Sequence, residues 1–435
     1  MPTLHWIGKE KVVKHHHEVP FKTLRREYTF TAPEGTPPNS TGNRIIHGDN
    51  LEALKALLPE FEGRVKCIYI DPPYNTGNEG WVYNDNVNEP RILKWLGQVV
   101  GKEGEDLSRH DKWLCMMYPR LKLLHRMLTY DGLMLISIDD YEYHFLRTIM
   151  DEICGAQRWI GTLIWKRRQA TDSRNKNGVS ADHEYVLVYG KGDSSRFVGQ
   201  AKDLTKYTNP DNDPRGPWMS DNLTGLAGPQ ERPNLHYDVV NPDNGKKYPP
   251  HPTRGWIYGK DRMEALIQDG RLLWPKSDSG RPRLKRFIFD SKSETTGFST
   301  LLNAAANIEG TKILNEMLGE KVFAFPKPPG FVDQLIQQVS NKDSIILDSF
   351  AGSGTTAHAV LKLNAEDGGN RRFILVEMLD YAETITAERV RRVIGGYGEG
   401  EKTVAGLGAY SAASRPPIPI QVGHPFRSKS ATYSD

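Results

Sequence analysis

Short apolar runs alternate with amphipathic stretches in two separate parts of the chain. Each run is followed by polar or glycine-rich residues, which is the pattern of a buried strand that ends in a loop. The amphipathic stretches repeat their apolar residues every three or four positions, which predicts helices that cover a sheet. The predicted strands are 44–47, 65–70, 133–138, 161–165, 185–189, 344–347 and 372–376, and the predicted helices are 51–58, 113–128, 143–153, 332–339 and 381–393. Strands that alternate with helices are typical of an α/β fold.

The pattern changes along the chain, and the changes predict five segments. The first residues are basic and then rich in Pro, Gly, Thr and Ser, which predicts an irregular arm. Between the two α/β parts the periodicity fades, as expected of an inserted domain of short strands and loops. The last residues are rich in Gly, Ser and Pro, which predicts poor order. The predicted boundaries are 1–43 for the arm, 44–190 and 312–395 for the two α/β halves, 191–311 for the insert and 396–435 for a flexible tail.

Composition places the chain among ordinary globular proteins. Of its 435 residues, 38% are hydrophobic and 26% are charged, and the net charge is +3. No apolar run is long enough to cross a bilayer, and the first residues lack the apolar core of a signal peptide. We therefore expect a cytoplasmic location without membrane contact. Cys67, Cys115 and Cys154 match no zinc spacing, and the adjacent histidines at 15–17 cannot easily converge on one ion, so we expect buried thiols, solvated histidines and no metal site.

Two loops at predicted strand ends carry the candidate chemistry. Strand 65–70 runs into DPPY at 71–74, and strand 344–347 runs into DSFAGSGTT at 348–356. Open α/β sheets bind their ligands outside the carboxyl ends of their strands. Both loops are therefore candidates for a ligand site.

The glycine loop suits a nucleoside cofactor with a charged amino-acid end. Gly352 and Gly354 let the backbone approach a ligand, and the N-terminus of the following helix favours a carboxylate. Asp348 can accept an ammonium, and Glu377, which ends the next strand, is well placed for ribose hydroxyls. The loop lacks the lysine of a Walker A motif and the third glycine of the dinucleotide fingerprint. The predicted cofactor is S-adenosyl-L-methionine, which combines a carboxylate, an ammonium and a ribose.

The DPPY loop suits the activation of an exocyclic amine, whose nitrogen is a weak nucleophile because its lone pair is delocalised into the ring. Asp71 can accept one N–H and the Pro72 carbonyl can accept the other, which aims the lone pair for in-line methyl transfer. Tyr74 can stack on a base that has left the duplex. No Pro-Cys pair is present to serve methylation of cytosine at C5. Taken alone, DPPY is equally well a simple turn, and the glycine loop favours the chemical interpretation.

Basic residues form two stretches with aromatic neighbours. Lys166, Arg167 and Arg168 follow Trp165, and a second group lies in the insert. The second group consists of Arg281, Arg283, Lys285 and Arg286. Such stretches indicate phosphate contacts in nucleic-acid binding, and a solvated loop explains them equally well. Both interpretations stay open for the individual residues.

These motifs resemble those of β-class DNA amino-methyltransferases, in which DPPY precedes an F-x-G-x-G motif. Within that class the chain looks most like the Mod subunits of type III restriction–modification systems. The resemblance is carried by WIGK at 6–9, IHGDNLEAL at 46–54, DPPYNTG at 71–77, FAFPKP at 323–328 and FAGSGTT at 350–356. It implies a Rossmann-like methyltransferase sheet, circularly permuted so that the cofactor half comes last. It also implies that the insert is a target-recognition domain.

The resemblance also implies roles for individual residues. The residues that would bind and activate the target amine are Asp71, Pro72, Pro73 and Tyr74. The residues that would hold S-adenosylmethionine are Asp49, Lys327, Asp348, Phe350, Gly352, Gly354, Thr355 and Glu377.

The aspartate of DPPY resembles adenine-N6 enzymes more than cytosine-N4 enzymes, which more often carry serine there. The resemblance thus predicts site-specific methylation of adenine N6 in duplex DNA by base flipping, within a restriction–modification system. Cytosine-N4 methylation and a recognition-only subunit for a nuclease partner stay open as alternatives. RNA or protein methylation is disfavoured because it predicts asparagine at position 71 more often and no large insert.

The resemblance implies double-stranded DNA, a second copy of the chain and a restriction (helicase–nuclease) subunit as partners. Mod subunits usually continue well beyond their last cofactor motif, whereas this chain has only a weak tail after Val393. This departure leaves the pairing mode and the docking to a restriction subunit open. A shorter, stand-alone relative fits the same sequence.

Overall fold

A computed structural model describes residues 3–30, 32, 42–76, 90–99, 108–172, 177–277, 279–291, 293–398, 403–408 and 421–423. Gly77 of the DPPYNTG string, residues 33–41 of the predicted arm and most of the predicted tail at 396–435 lie outside that set. The chain divides into two compact units. The first comprises Met1–Val198 with Phe298–Asp435, and the second comprises Gly199–Gly297.

A large mixed sheet forms the centre of the first unit. The strands of both units are β1 (Arg26–Tyr28), β2 (Arg44–His47), β3 (Val65–Ile70), β4 (Leu128–Ile138), β5 (Trp159–Lys166), β6 (His183–Gly190), β7 (Gln200–Ala201), β8 (Trp218–Asn222), β9 (Val239–Val240), β10 (Lys247–Tyr248), β11 (Leu272–Leu273), β12 (Arg283–Phe287), β13 (Thr295–Thr296), β14 (Leu301–Leu302), β15 (Ile345–Asp348), β16 (Arg372–Glu377), β17 (Gly396–Tyr397), β18 (Val404–Ala405) and β19 (Gln421–Gly423). The order in the large sheet is β1-β19-β2-β16-β15-β3-β4-β6-β5-β14. From β19 to β4 all neighbours are parallel, whereas β6 is antiparallel to both β4 and β5.

Helices cover both faces of this sheet. The helices of both units are α1 (Lys9–Val12), α2 (His15–Glu18), α3 (Asn50–Phe61), α4 (Pro90–Val99), α5 (Arg109–Met127), α6 (Tyr143–Cys154), α7 (Lys260–Gln268), α8 (Asn307–Leu318), α9 (Pro329–Val339), α10 (Thr355–Asp367) and α11 (Glu388–Gly395). Successive side chains of β3 point to opposite faces. Ile68 and Ile70 pack in one core with residues of α3, α5 and α6, whereas Cys67 and Tyr69 pack in another with residues of α9, α10 and α11. A sheet that is buried on both faces explains the nearly continuous apolar runs of the sequence.

Three acidic residues follow or end adjacent parallel strands. Asp71 comes directly after β3, Asp348 is the last residue of β15, and Glu377 is the last residue of β16. Because these strands are neighbours with the same direction, their carboxyl ends lie at one edge of the sheet. That edge is where the sequence places its candidate chemistry.

The start of the chain is more regular than the predicted irregular arm. It forms α1 and α2, and Val12 is fully buried in the core beside α5. His16 is buried rather than solvated, and burial lowers the pKa of its imidazole to about 4. Its carbonyl accepts a hydrogen bond from the Lys55 ammonium at 2.9 Å. A neutral histidine costs less to bury than a charged one. The polar composition of the segment gives no indication that this histidine is buried.

Several element boundaries also differ from the sequence pattern; the strand predicted at 133–138, for example, begins at Leu128. The helix predicted at 113–128 begins earlier, because Ser108 caps α5 and exchanges hydrogen bonds with Asp111. Residues 421–423, which belong to the predicted flexible tail, form β19 beside β2.

The second unit lies within the segment predicted as an insert. It has its own sheet, in the order β11-β12-β8, and its own small core around Trp256, whose indole N–H donates to the Tyr237 carbonyl at 2.8 Å. Among the described residues of the whole chain, no helix is long and apolar enough to cross a membrane, and no three potential metal ligands cluster.

Candidate active site

A cavity of about 400 Å³ lies at the sheet edge where β3 and β15 end. The segments that line it include the DPPY loop, residues 167–168 after β5, Glu184 of β6, residues 323–327 before α9, and the glycine loop with the first turn of α10. Cavities of this size hold small-molecule ligands and cofactors. The two loops that the sequence singles out therefore share one space.

Lys327 neutralises part of the negative charge beneath this cavity. Its ammonium lies 3.0 Å from Oδ1 and 2.9 Å from Oδ2 of Asp71, and 3.3 Å from Oε2 of Glu184. Burial alone lowers the pKa of Lys327, but the charges of Asp71 and Glu184 more than offset it, so the pKa is raised. Lys327 therefore stays protonated between the two carboxylates.

Glu184 is a cavity residue to which the sequence pattern assigns no role. It is only 5% exposed at the start of β6, and its Oε2 accepts a hydrogen bond from the Tyr74 hydroxyl at 3.1 Å. Lys327 also lies 4.9 Å from the ring centroid of Tyr74. The sequence signal that could have identified Glu184 is an acidic residue directly before the apolar run 185–189, on a strand that is covered on both faces. Glu184 and Lys327 together fix the position of the Tyr74 ring.

The DPPY backbone is anchored to α5 and to the residue before α6. The Trp113 indole N–H donates to the Pro73 carbonyl at 2.6 Å. Asn75 has a left-handed backbone with φ of 58°, and its side-chain amide donates to the buried carboxylate of Glu142 at 2.5 Å. Burial raises the pKa of Glu142 to about 8. These contacts hold the second half of the loop in one conformation.

Two glycines shape the second loop. Gly352 and Gly354 have φ of 52° and 80°, in the left-handed region that favours glycine. The N–H of Gly352 donates to Oε2 of Glu377 at 2.8 Å, and its carbonyl accepts from the Thr386 hydroxyl at 2.6 Å. A Cβ at position 354 would lie 3.1 Å from the Thr386 carbonyl oxygen. Both the backbone conformation and the close approach require glycine at 354.

The two acidic residues beside the glycine loop are buried in different roles. Asp348 lines the cavity and accepts hydrogen bonds from the Phe350 N–H and the Thr356 hydroxyl. Glu377 lies outside the lining and accepts from the backbone N–H groups of Gly352 and Leu379. Burial raises the pKa of each carboxyl to about 7. Asp348 can therefore contact a ligand directly, whereas Glu377 supports the loop.

Phe350 and Thr355 also line the cavity, but Asp49 does not. Asp49 caps α3 by accepting from the backbone N–H groups of Leu51 and Glu52, and it lies 3.0 Å from the guanidinium of the buried Arg120. In this structure it stabilises a helix end behind the cavity wall.

A family model for DNA methylases, the N6/N4 methyltransferases, matches residues 65–388. The match includes both loops and every segment that lines the cavity. The chain belongs to the DNA methylase family.

Curated relatives of this DNA methylase include Mod subunits and a type II enzyme. The Mod subunit of the type III restriction–modification enzyme StyLTI, from Salmonella typhimurium, is 36% identical over 355 residues, which are 77% of this chain and 52% of the relative. The EcoP15I Mod subunit of Escherichia coli is 30% identical over 421 residues, 86% of this chain and 64% of the relative. The type II methyltransferase M.KpnI of Klebsiella pneumoniae is 33% identical over 360 residues, 79% of this chain and 82% of the relative. The methylase thus spans about half to two-thirds of the length of these Mod subunits.

The basic residues of the methylase at and directly after the end of β5 lie at or near the cavity. Lys166 is exposed, whereas Arg167 and Arg168 line the cavity. The Arg167 guanidinium lies 3.4 Å from Glu184, and that of Arg168 lies 2.9 Å from Asp172.

The basic residues of the second unit differ in their freedom to contact a phosphate. Arg281 and Arg283 are exposed. Lys285 is buried between the carboxylates of Asp211 and Asp213, which would compete with a phosphate for its ammonium. The last of the group, Arg286, lies 2.6 Å from Asp221, across the β12–β8 pair.

Proposed function

We propose that this methylase transfers the methyl group of S-adenosylmethionine to N6 of adenine in duplex DNA, as the modification component of a restriction–modification system. The observation that carries the proposal is the single cavity lined by both the DPPY loop and the glycine loop. The names of the Mod relatives support the biological setting.

The residues around the cavity fit S-adenosylmethionine. Asp348 offers a buried carboxylate for the ammonium, and the first turn of α10 offers backbone N–H groups for the carboxylate. Gly352 lines the cavity without a side chain, whereas Gly354 lies outside the lining and shapes the loop. Glu377 holds the Gly352 end of the loop in place. When bound, the cofactor supplies a methyl group activated by a positively charged sulfur.

Asp71 is the residue that activates the amine. Its carboxylate accepts one amine N–H and the Pro72 carbonyl accepts the other, which releases the lone pair from the ring. Lys327 and Glu184 hold Asp71 and Tyr74 in register, so the ring of Tyr74 can stack on the flipped base. The Asp71 carboxylate stabilises the positive charge that the attacking nitrogen acquires.

We propose double-stranded DNA as the substrate, with the compact unit Gly199–Gly297 as the target-recognition domain. Lys166, Arg281 and Arg283 are exposed and can contact phosphates. A second copy of the chain and a restriction subunit are the proposed partners, and the cytoplasm is the proposed location. These partners are inferred from the names of the Mod relatives. The extent of the sequence match is not an argument for them.

The test is to incubate the protein with S-adenosylmethionine and unmethylated genomic DNA, and to map modified bases by single-molecule sequencing. Asp71→Ala should abolish methylation and keep DNA binding, because Lys327 retains its contact with Glu184. Asp131→Ala is the matched control, since this carboxylate pairs with Lys66 near the opposite edge of the sheet. N6-methyladenine at one short motif, absent only in Asp71→Ala, is the expected result.

Two other results would change the assignment. N4-methylcytosine at a fixed motif would replace adenine by cytosine as the target. Bound cofactor and bound DNA without any mark would contradict the transferase and support a recognition-only subunit.

A further inference from the structure

Arg389, near the start of α11, carries a buried charge that no acidic residue balances. It is fully buried, and no carboxylate of the described residues lies within ion-pair distance of its guanidinium. Burial lowers the pKa of Arg389 to about 9, so the group keeps its charge at neutral pH. The guanidinium also lies 3.4 Å from Nδ1 of His358, whose imidazole is kept neutral because burial holds its pKa well below the usual value.

Other buried arginines of the first unit are compensated. Arg120 lies 3.0 Å from Asp49, and Arg371 lies 2.8 Å from Asp367. A buried charge without a partner is costly to keep in a fold. A partner that is absent from the protein itself is the simplest reason to retain Arg389.

The guanidinium of Arg389 acts on the glycine loop. It donates to the hydroxyl oxygens of Ser353, at 2.8 Å, and Thr355, at 2.7 Å. Both residues line the cavity. The Thr355 hydroxyl donates in turn to the Lys327 carbonyl at 3.0 Å, whereas that of Ser353 has a 3.3 Å contact with Thr355. The Ser353 hydrogen is therefore the one that can turn towards a ligand.

Two positive sources meet at this end of the cavity. The N-terminus of α10 carries the positive end of a 13-residue helix dipole, and Arg389 adds a full charge directly behind it. The Asp348 carboxylate lies across the same loop. The field of the site thus has one negative and one positive end, which matches a ligand end that carries both an ammonium and a carboxylate.

We propose that Arg389 is a positioning residue that makes the site select ligands with a carboxylate at their amino-acid end, and that it acts through the hydroxyls of Ser353 and Thr355. This inference rests on the proposed cofactor class. Arg389 itself need not touch the ligand.

The test compares two ligands that differ by one group. S-adenosylhomocysteine carries the carboxylate, and its decarboxylated counterpart, the adenosyl thioether of 3-aminopropanethiol, does not. Isothermal titration calorimetry on the full chain should show that Arg389→Met lowers the affinity for S-adenosylhomocysteine by about tenfold. The affinity for the decarboxylated ligand should stay within about twofold of the parent value. Arg389→Lys should recover part of the difference. Arg371→Met is the matched control, because this buried arginine is paired at the far end of α10 and should leave the ratio of affinities unchanged.

A second readout separates this role from simple packing. Without ligand, Arg389→Met should be at least as stable to urea as the parent, because the change removes an uncompensated charge. Lower stability with an unchanged ratio of affinities would overturn the proposal. If Arg389→Met does not fold, Ser353→Ala is the alternative, because it keeps the guanidinium and removes its link to the cavity. The ratio of the affinity for S-adenosylhomocysteine to that for the decarboxylated ligand should still fall. An unchanged ratio in Ser353→Ala would then overturn the proposal.

The two proposals fail differently. If the parent protein binds neither ligand, both the cofactor class and the role of Arg389 are wrong. If it binds S-adenosylhomocysteine but Arg389→Met shows the same ratio of affinities, only the role of Arg389 is wrong.

Discussion

Replacing Lys327 with methionine removes the one cation that lies between Asp71 and Glu184 in the described structure. The ammonium is 2.9 Å from Asp71 and 3.3 Å from Glu184, and the side chain is 10% exposed. Removing one partner of a buried ion pair costs about 3–5 kcal/mol. Asp71 is 27% exposed and Arg167 remains near Glu184, so we expect the low end, about 3 kcal/mol of unfolding free energy at pH 8.

Urea unfolding monitored by tryptophan fluorescence, relative to the parent at the same pH, measures the loss. The Trp165 ring, 6.0 Å from the Lys327 ammonium, is a local reporter.

Lys362→Met is the matched control for this experiment. Lys362 also contacts two carboxylates, Asp333 at 2.5 Å and Glu366 at 3.7 Å, but its side chain is 41% exposed. We expect a loss below about 1 kcal/mol. If Lys327→Met loses no more than this control, the stabilising role assigned to the Lys327 ion pairs is wrong.

Three further changes test other parts of the site. Burial raises the pKa of Glu142 from 4.5 to about 8, so the parent should lose stability as the pH rises between these values, and Glu142→Gln should flatten that slope in urea unfolding. Gly354→Ala places a Cβ 3.1 Å from the Thr386 carbonyl at φ of 80°. It should lower the free energy of unfolding by about 1–3 kcal/mol and abolish calorimetric binding of S-adenosylhomocysteine. Gly63→Ala is the control, because Gly63 has φ of 67° and nothing within 4 Å, so it measures the backbone strain without the crowding. Because burial raises the pKa of Asp348 to about 7, cofactor affinity should fall about tenfold per pH unit below that value, whereas Asp348→Asn should bind weakly with no such pH dependence.

The positions of Asp71 and Asp348 at one sheet edge could be predicted from the sequence. Each follows or ends an apolar run that is too short for a helix and is flanked by turn-forming residues, and parallel neighbours bring such ends together. The partners of these acids could not be predicted in the same way. Asp71 and Lys327 are 256 positions apart, and no periodicity links an ammonium to a carboxylate over that distance.

Charged residues were the least predictable from local pattern. Lys285 lies in a basic stretch that is typical of a phosphate-binding surface, yet Asp211 and Asp213, far away in the chain, neutralise it. Arg389 shows the opposite case, because its helix is rich in ordinary surface charges and nothing in the sequence marks one of them as buried. The burial and the ion pairing of a charged residue are properties of the tertiary structure. The sequence alone indicates them only through the periodicity of the apolar residues around it.

The central position of β15 has a consequence for the synthesis of the protein. β15 pairs with β3 through Ile346 and Cys67. This pairing can form only after the ribosome has made the whole segment between the two strands, including the second unit. During that time the nascent chain displays the open edge of a strand that is apolar on both faces, which is the kind of surface that chaperones shield and that otherwise drives aggregation. A chain order that completes the cofactor site last therefore also delays the pairing of a central strand edge until late in synthesis.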